Sequence, residues 1–99
     1  MNIVVLTVYL LTQPKLIKRK HQNFCYMLFS LNKDNISTIK IKAFAKGKIA
    51  RYIFDSYQQD SSVIIEASIY VKKNSLLKKN TKKMKIVFVK IHKVYNIDT

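Results

Sequence analysis

Hydrophobic and polar residues alternate with a period of two along much of this chain, which predicts strands with one buried and one solvent-exposed face. The alternation is strictest in Ser37–Ala45, where Ile41 and Ala43 point one way and Lys42 and Phe44 point the other. The polar face of this strand therefore carries a phenylalanine beside lysines. Because burying such a ring would gain about 1.5–3 kcal/mol, its place on a wet face is an unusual use of a surface.

Four other segments have the alternation or the composition of strands, and one segment is predicted to be helical. The predicted strands are Met1–Leu11, Phe24–Asn32, Ser62–Lys72 and Met84–Tyr95, and the predicted helix is Lys48–Tyr57. The polar face of Ser62–Lys72 again places an aromatic ring, Tyr70, beside a lysine. The pairing of ring and lysine thus recurs on two predicted strands.

The connections between these segments carry turn residues and lysines. Met1–Leu11 predicts a central strand buried on much of both faces, and it ends near Pro14, which has no N–H to donate to a sheet. Lys15–Lys20 predicts a basic continuation of the chain along the sheet. Turns are predicted at His21–Asn23 and Lys33–Asn35.

The order of three strands, one helix and two strands predicts an all-β domain, a five-stranded OB-fold Greek-key barrel with the helix between strands 3 and 4. At 99 residues the chain is predicted to be a single domain, residues 1–99. Lys73–Lys83 predicts a long basic hairpin loop within that domain, and a loop of that length is typically functional or disordered. Barrels of this class bind oligonucleotides on the face of strands 2–3 and in the 1–2 and 4–5 loops.

Charge favours a polyanionic partner. The chain has 19 Lys and Arg residues against 5 Asp and Glu residues, a formal net charge of +14, which attracts polyanions. Nucleic acid is the first candidate, and an anionic membrane surface is the second, which we do not adopt. All the cationic residues except Arg19 and Arg51 are lysines, which suit phosphate contacts better than base edges. The composition therefore favours binding without sequence preference.

Residues that carry catalysis or bind cofactors are scarce. The one cysteine, Cys25, cannot form a disulfide within the chain, and we expect it to be a small core residue in a reducing compartment. No Cys/His spacing resembles a zinc site, and a single glycine excludes a glycine-rich phosphate loop. Most of the carboxylates lie where turns and helix ends are predicted, and neither His21 nor His92 has a carboxylate or cysteine at a useful spacing in the sequence. We therefore expect no enzyme activity, no cofactor, no metal and no small-molecule substrate.

Several short stretches, in order along the chain, resemble the bacterial and organellar single-stranded DNA-binding (SSB) family. The signature of that family is similar to Ala43–Lys46 followed by Ile49 and Ala50. Its other matching stretches are similar to Met1-Asn2, Val5-Leu6, Pro14, Leu16, Leu31-Asn32-Lys33, Ser61, Val63, Ile65-Glu66-Ala67 and Ile69. The small size and the composition look most like the short SSB-like reading frames of algal plastid genomes, and the residues favoured here have A/T-rich codons.

The resemblance implies an OB-fold, sequence-independent binding of single strands, a role in DNA replication, repair or recombination, and a homo-oligomer, either dimer or tetramer. It also implies a plastid (chloroplast) location. The sequence departs from the family at several points. It has no tryptophan, with Thr38 and Asn74 near family tryptophan positions; Ala45 replaces a glycine, and two residues are inserted around Gly47. The sequence ends at Asp98-Thr99, without the acidic C-terminal tail by which the family recruits other proteins. From these departures together we expect binding that is weaker and more electrostatic than in the family.

The candidate nucleic-acid-binding residues are aromatic rings and lysines on the polar strand faces and in the long loop. Phe44 is predicted to stack on bases; the alternative is packing under a loop or at a subunit contact. Tyr70 and Tyr26 are further candidate stacking residues, and each could instead be a half-exposed, core or interface ring. The lysines predicted to contact phosphates, or otherwise to be merely solvated, are Lys40, Lys42, Lys72, Lys73, Lys78, Lys79, Lys82 and Lys83.

Three functions are compatible with these residues. The first is an OB-fold protein that coats single-stranded nucleic acid, with DNA favoured. The second is an RNA- or ribosome-associated protein with the same barrel, since lysine-rich surfaces suit RNA equally well. The third is a protein-interaction module that has lost nucleic-acid binding, which the absence of tryptophan would favour.

Overall fold

The computed structural model contains a β-barrel and one helix in the residues that the structure describes, 2–31, 40–73 and 85–97, with the backbone alone at 71–73 and 85–86. The strands are β1 (Ile3–Leu10), β2 (Lys15–Arg19), β3 (Gln22–Ser30), β4 (Ile41–Lys46), β5 (Ser62–Lys73) and β6 (Lys85–Tyr95), and the helix is α1 (Lys48–Ser56). The predicted turn at Lys33–Asn35 and all but the first residue of the predicted loop Lys73–Lys83 lie outside the described residues. No helix among the described residues is long and apolar enough to cross a bilayer.

The sheet closes on itself. The strand order is β1-β5-β6-β4-β3-β2, and β1 pairs again with β3 at Tyr9↔Ser30 and Leu10↔Phe29, which closes a barrel of five strands with β2 attached to β3. All pairs are antiparallel except β4 with β6. When the five barrel strands are counted in chain order, α1 lies between the third and the fourth, β4 and β5. The fold is therefore the OB-fold barrel that the sequence predicts.

β2 is the predicted basic continuation of the first strand. Pro14 is buried between β1 and β2 and interrupts the strand, since it cannot donate to the ladder. After this break the chain pairs with β3 instead of β5, with Lys15 opposite Tyr26. The bend thus places a cationic strand beside the third strand of the barrel.

The core fills the barrel from the alternate residues that the sequence pattern assigns to it. On β4 these residues are Ile41, Ala43 and Ala45, and the small side chains of the two alanines leave room for α1 to pack. Ala50 and Ile53 are the buried residues of α1. Gly47 precedes the helix with φ +74, a conformation that glycine adopts without strain, and its N–H donates to the Asn23 carbonyl (2.8 Å). This hydrogen bond ties the start of α1 to β3.

Cys25 lies fully buried in this core. Desolvation raises the pKa of its thiol to about 11, so the group stays neutral at physiological pH. The prediction of a small core residue is confirmed.

β1 is less buried than the sequence predicts. Val8 and Leu10 are in the core, but Ile3 is 49% exposed and Val5 is 63% exposed. The prediction of burial on both faces was wrong because, within the described residues, positions 3–8 pair with β5 on one side only and nothing covers their outer face. β1 is therefore an edge strand over most of its length, with an apolar outer face.

β6 contains a bulge at His92. Glu66 of β5 lies opposite Lys93, but the next residue, Ala67, lies opposite Ile91, so His92 is the extra residue. The His92 Nε2 lies 2.7 Å from the Ser68 Oγ in a hydrogen bond. After the bulge, Val94 packs against the core. The strand therefore has inward-facing side chains both before and after the extra residue.

The hairpin between β2 and β3 turns earlier than predicted. Arg19 lies opposite Gln22, so the turn consists of Lys20 and His21 rather than His21–Asn23. Both turn residues have positive φ, 48° and 66°, as a type I′ turn requires. The sequence did not indicate this turn, because type I′ turns usually contain Asn-Gly. A lysine and a histidine adopt that geometry only with strain.

Relieving that strain should stabilise the protein. Lys20→Asn with His21→Gly supplies the residues that favour positive φ, so we expect a gain of about 1 kcal/mol and a rise in Tm of about 4–8 °C. A thermal melt followed by circular dichroism measures it. His21→Ala is the control, because it removes the imidazole but keeps the Cβ. An equal rise in that variant would show that the backbone angle is not the cause.

Candidate nucleic-acid interface

The outer surface of the barrel carries aromatic rings and lysines that the strand register brings into two adjoining rows. The first row, in sheet order from β2 to β6, consists of Lys15, Tyr26, Phe44 and Lys90. The second row, from β3 to β5, consists of Leu28, Lys42, Phe88 and Tyr70. We call the surface of these two rows the aromatic face. Side chains directly opposite on neighbouring strands lie about 4.5–5.5 Å apart at Cβ. Each lysine of the aromatic face is therefore close to an aromatic ring on a neighbouring strand.

These side chains point outward because their sequence neighbours point inward. Met27 and Ala43 are buried beside Tyr26 and Phe44, and Val89 is buried beside Phe88. The aromatic face is thus the polar side of the same alternation that builds the core.

The rings of the aromatic face are open to solvent in part. Tyr26 is 42% exposed and Tyr70 is 50% exposed, while Phe44 and Phe88 are half-buried. A half-buried ring keeps its position by packing at one edge and presents the rest to a ligand. Such a surface can hold flat apolar groups in a fixed arrangement.

A pocket of about 330 Å³ lies at the centre of the aromatic face, within the usual size range of small-molecule sites. Its lining is largely apolar, with lysines at the rim. The lining residues are Thr12, Lys15, Tyr26, Met27, Leu28, Lys42, Ala43, Phe44 and Phe88. The Thr12 Oγ1 accepts a hydrogen bond from the Leu28 N–H (3.1 Å), which fixes the chain at the pocket wall where β1 ends.

The electrostatics of the pocket favour an anion. The Lys42 Nζ lies 5.8 Å from the centroid of the Phe88 ring, a cation–π contact that holds the ammonium group over the face. Of the described carboxylates, Asp55, Asp60 and Glu66, none lines the pocket. The site therefore combines apolar walls with uncompensated positive charge, which suits a ligand that is both planar and anionic.

The predicted site residues fall into four groups. Tyr26, Lys42 and Phe44 meet in the pocket, and Tyr70 lies one strand beyond it, opposite Phe88. Lys40 is exposed immediately before β4 and does not line the pocket. The backbone of Lys72 and Lys73 lies in β5, opposite Ile86 and Lys85, and their side chains are outside the description. The other predicted lysines, all outside the described residues, are Lys78, Lys79, Lys82 and Lys83.

Sequence reasoning missed Phe88, Lys90 and Lys15, which the fold adds to the site. Phe88 and Lys90 alternate on the polar side of β6, a signal that was present in the sequence. Their place beside Lys42 and Phe44 depends on the parallel pairing of β4 with β6, which no local pattern reveals. A third row continues the surface toward the β2–β3 hairpin with Ile17, Phe24 and Lys46.

The described residues contain no candidate metal site. No group of three His, Cys, Asp or Glu residues among them could hold a metal ion. His92 is hydrogen-bonded to Ser68, and His21 is exposed in the hairpin turn. The chemistry available on the aromatic face is binding by stacking and by charge.

Solved structures with this architecture include several SSB domains. No protein-family model and no curated protein sequence matches the chain. An SSB domain from Synechococcus sp. is 16% identical, with a TM-score of 0.73 and coverage of 97% of this chain and 96% of that chain. The second single-stranded DNA-binding protein (SSBb) of Mycobacterium smegmatis is 15% identical, with a TM-score of 0.72 over 96% of this chain and 84% of that chain.

A small single-stranded DNA-binding protein from Streptomyces coelicolor is 9% identical, with a TM-score of 0.76 over 96% of this chain and 93% of that chain. At these identities the likeness establishes the fold. It extends over almost the whole of this chain, so the barrel, the helix and their order are those of an SSB domain.

Proposed function

We propose that this protein binds single-stranded DNA without sequence preference, and that the aromatic face is the binding surface. The observation that carries the proposal is the gathering of rings and lysines in two adjoining register rows, each of which crosses four neighbouring strands. Bases stack on the rings, each contact contributing about 1–3 kcal/mol, while ammonium groups neutralise phosphates and release their counterions. The shared fold with SSB domains supports the same reading.

The chemistry of the face favours an unpaired strand. A base can stack on Phe44 or enter the pocket only if its own flat surface is free, and in a duplex both surfaces are covered by neighbouring bases. Lysine is a point charge without the planar fork that reads base edges, so the contacts are tolerant of sequence. A protein of this kind protects exposed strands during replication, repair or recombination.

The dimensions of the face set the length of strand that it contacts. Three strand intervals of about 4.8 Å separate β3 from β5 across the sheet, or about 14 Å. At the roughly 3.4 Å per nucleotide of a stacked strand, about four nucleotides fit along one row. This falls at the short end of the site sizes of about 4–16 nucleotides found for OB-folds.

Competition against a labelled oligo-dT, followed by fluorescence anisotropy at low salt, tests the proposal. We expect unlabelled oligo-dT and mixed single strands to compete equally and duplex DNA to compete at least about tenfold more weakly, since it offers charge without stacking. Structured RNA that competed better than oligo-dT would favour an RNA- or ribosome-associated protein. Absence of binding to any nucleic acid would favour the protein-interaction module.

We further propose that the protein is a homo-oligomer and that two copies meet along β1. Positions 3–8 of β1 have an unpaired edge within the described residues, and Ile3 and Val5 expose apolar side chains beside it. An edge strand of this kind invites pairing with another chain unless charge or proline blocks it. Neither a charged residue nor a proline lies between Ile3 and Leu10.

Val5→Lys should therefore weaken self-association while leaving the fold intact. The side chain of Val5 is 63% exposed, so the substitution removes little core packing, but in an antiparallel pair it would bring like charges close together. We expect light scattering to show a shift toward the monomer, with an unchanged Tm at low protein concentration. Ile17→Lys on β2 is the matched control, since Ile17 is also exposed and apolar on an edge strand. Equal dissociation of both variants would contradict pairing through β1.

A further inference from the structure

We propose that the pocket at the centre of the aromatic face binds a free nucleoside monophosphate, and that this small ligand regulates the protein by competing with the strand. The inference rests on the proposed function, because a base of the strand uses the same rings. It adds a second class of ligand, a single nucleotide that is not part of a chain. The shape, the charge and the polar groups of the pocket carry it.

The pocket lies between the two rows of the aromatic face. The first row contributes Tyr26 and Phe44 to one side, and the second row contributes Leu28 and Phe88 to the other. The rows are two residues apart along each strand, or about 6.8 Å. Because stacked bases lie about 3.4 Å apart, this spacing admits one flat ring between the rows. A base that enters is therefore in contact with side chains on both of its surfaces.

Enclosure of this kind is what a free ligand needs. A free molecule loses its translational and rotational freedom when it binds, so it must make most of its contacts at one place. A strand loses that freedom once for several contacts, so it also binds to open rings such as Tyr70, which is 50% exposed. The pocket volume of about 330 Å³ falls in the range of sites that enclose small molecules. The rings around the pocket are thus the part of the aromatic face that suits a single nucleotide.

The charge of the pocket favours a nucleotide over an uncharged nucleoside. The Lys42 Nζ lies 5.8 Å from the centroid of the Phe88 ring, so an ammonium group is held at the rim before a ligand arrives. Lys15 lines the pocket from β2, at the end opposite to Phe88. None of the described carboxylates lines the pocket. A phosphate attached to the bound nucleoside therefore has an ammonium group close by at either end.

The Thr12 hydroxyl can orient the base. Its Oγ1 accepts the Leu28 N–H at 3.1 Å, which fixes the side chain at the pocket wall. A hydroxyl that accepts one hydrogen bond still has its own hydrogen to donate, and a carbonyl of a pyrimidine is a suitable acceptor. The pocket thus combines apolar walls with a few polar groups, as small-molecule sites do.

A bound nucleotide excludes the strand from the centre of its path. It covers the three rings around the pocket and places a phosphate beside Lys42, so the strand keeps only outer contacts such as Tyr70. Competition for one site raises the apparent Kd of the strand by the factor 1 + [L]/Kd, or up to about elevenfold at ten times the Kd of the nucleotide. Abundant free nucleotides therefore weaken strand binding.

The experiment uses thymidine 5′-monophosphate (dTMP) as the probe, at low salt and constant ionic strength. Isothermal titration calorimetry measures its binding, and the anisotropy of labelled oligo-dT measures the competition. We expect saturable binding with a Kd of about 1 mM or tighter, and a rise of about tenfold in the apparent Kd of oligo-dT at ten times that concentration. Thymidine should bind about fivefold more weakly than dTMP, and inorganic phosphate should not displace the strand.

Lys42→Gln tests the phosphate contact. It should bring the Kd values of dTMP and thymidine to within about twofold of each other, because the ammonium group held at the rim is gone. A merely structural role of Lys42 would weaken both ligands and leave their ratio unchanged, which would contradict the contact. Lys93→Gln is the matched control: Lys93 lies opposite Glu66, does not line the pocket, and its loss should keep the ratio.

Leu28→Phe tests the pocket itself, because the larger side chain fills space at the pocket wall. We expect dTMP binding to weaken about tenfold or more, so that dTMP no longer displaces the oligo-dT that the variant binds. The matched control is Leu31→Phe, the same change at a leucine that is 42% exposed and does not line the pocket. It should respond to dTMP as the unaltered protein does, and thermal melts show that both variants are folded.

Each other outcome is decisive. Normal binding of oligo-dT without saturable binding of dTMP overturns the inference and leaves the proposed function standing. Binding of dTMP that does not displace the strand, or equal displacement by inorganic phosphate, also overturns it. So does equal weakening of dTMP binding in Leu28→Phe and Leu31→Phe, which would locate the nucleotide outside the pocket. Failure of the unaltered protein to bind oligo-dT overturns the proposed function itself, and calorimetry with dTMP then still decides whether the pocket is a nucleotide site.

Discussion

A tenfold rise in salt concentration should weaken binding to oligo-dT by roughly 3,000-fold. On single strands log K falls with log[salt] by about 0.7 for each phosphate contact, so about five contacts give a slope near −3.5. Five described lysines are placed for such contacts on or beside the aromatic face: Lys15, Lys40, Lys42, Lys46 and Lys90. Anisotropy titrations at several salt concentrations give the slope directly.

Single charge removals test which lysines produce that slope. Lys42→Gln should make it shallower by about 0.7, because one phosphate contact is lost. Lys93→Gln is the matched control: Lys93 is an exposed lysine too, but it lies opposite Glu66, away from the pocket, and the slope should not change. A slope near zero for the unaltered protein would show that charge does not drive binding. Equal effects of the two substitutions would show that only total charge counts.

The centre of the chain was predictable because local pattern decides it. The strict alternation of β4 and β5 identifies which residues are buried, and the buried set includes Ala43, Ala45 and Ala67. The helix begins at Lys48 as predicted and ends at Ser56, one residue before the predicted end. In each case the residues that determine the local structure lie within a few positions of it in the sequence.

What the sequence could not supply depends on distant partners. The apolar composition of β1 predicts burial, but whether a strand is central or at an edge is decided by which strands pair with it, and Ile3 and Val5 lie at an edge. Phe88 joins Lys42 because a parallel pairing spans α1 and β5 in the sequence. The turn at Lys20 and His21 forms because the register of the two flanking strands requires it, although neither residue favours such a turn.

The smaller rings of the aromatic face can take over the stacking role of the missing tryptophans. Thr38 and Asn74, which stand near family tryptophan positions, lie outside the described residues. Tyr26, Phe44 and Phe88 come together around one pocket, on three neighbouring strands. Several smaller rings in contact with one pocket can share the stacking that a large ring would supply, so the loss of tryptophan does not by itself argue for loss of nucleic-acid binding.

Phe44→Ala should weaken binding of oligo-dT by about 5- to 150-fold, the equivalent of about 1–3 kcal/mol of base stacking. The ring lies in the pocket between Tyr26 and Lys90 in the first row, so its removal breaks the row at its centre. Because Phe44 is only half-buried, Tm should fall by much less than for truncation of Phe29, which is 1% exposed and for which a loss of about 3–5 kcal/mol is expected. Anisotropy and thermal melts on the same samples separate the two effects.

The matched control for this prediction is Phe54→Ala on α1. Phe54 is 40% exposed and does not line the pocket, so its loss should leave binding unchanged. Phe44→Tyr keeps a ring in place and should retain most of the affinity, which distinguishes stacking from simple bulk. If Phe44→Ala lowered Tm as far as Phe29→Ala while binding oligo-dT normally, Phe44 would be a packing residue. If Phe54→Ala weakened binding as strongly as Phe44→Ala, the aromatic face would have no special role, because any exposed ring of the protein would then serve equally well.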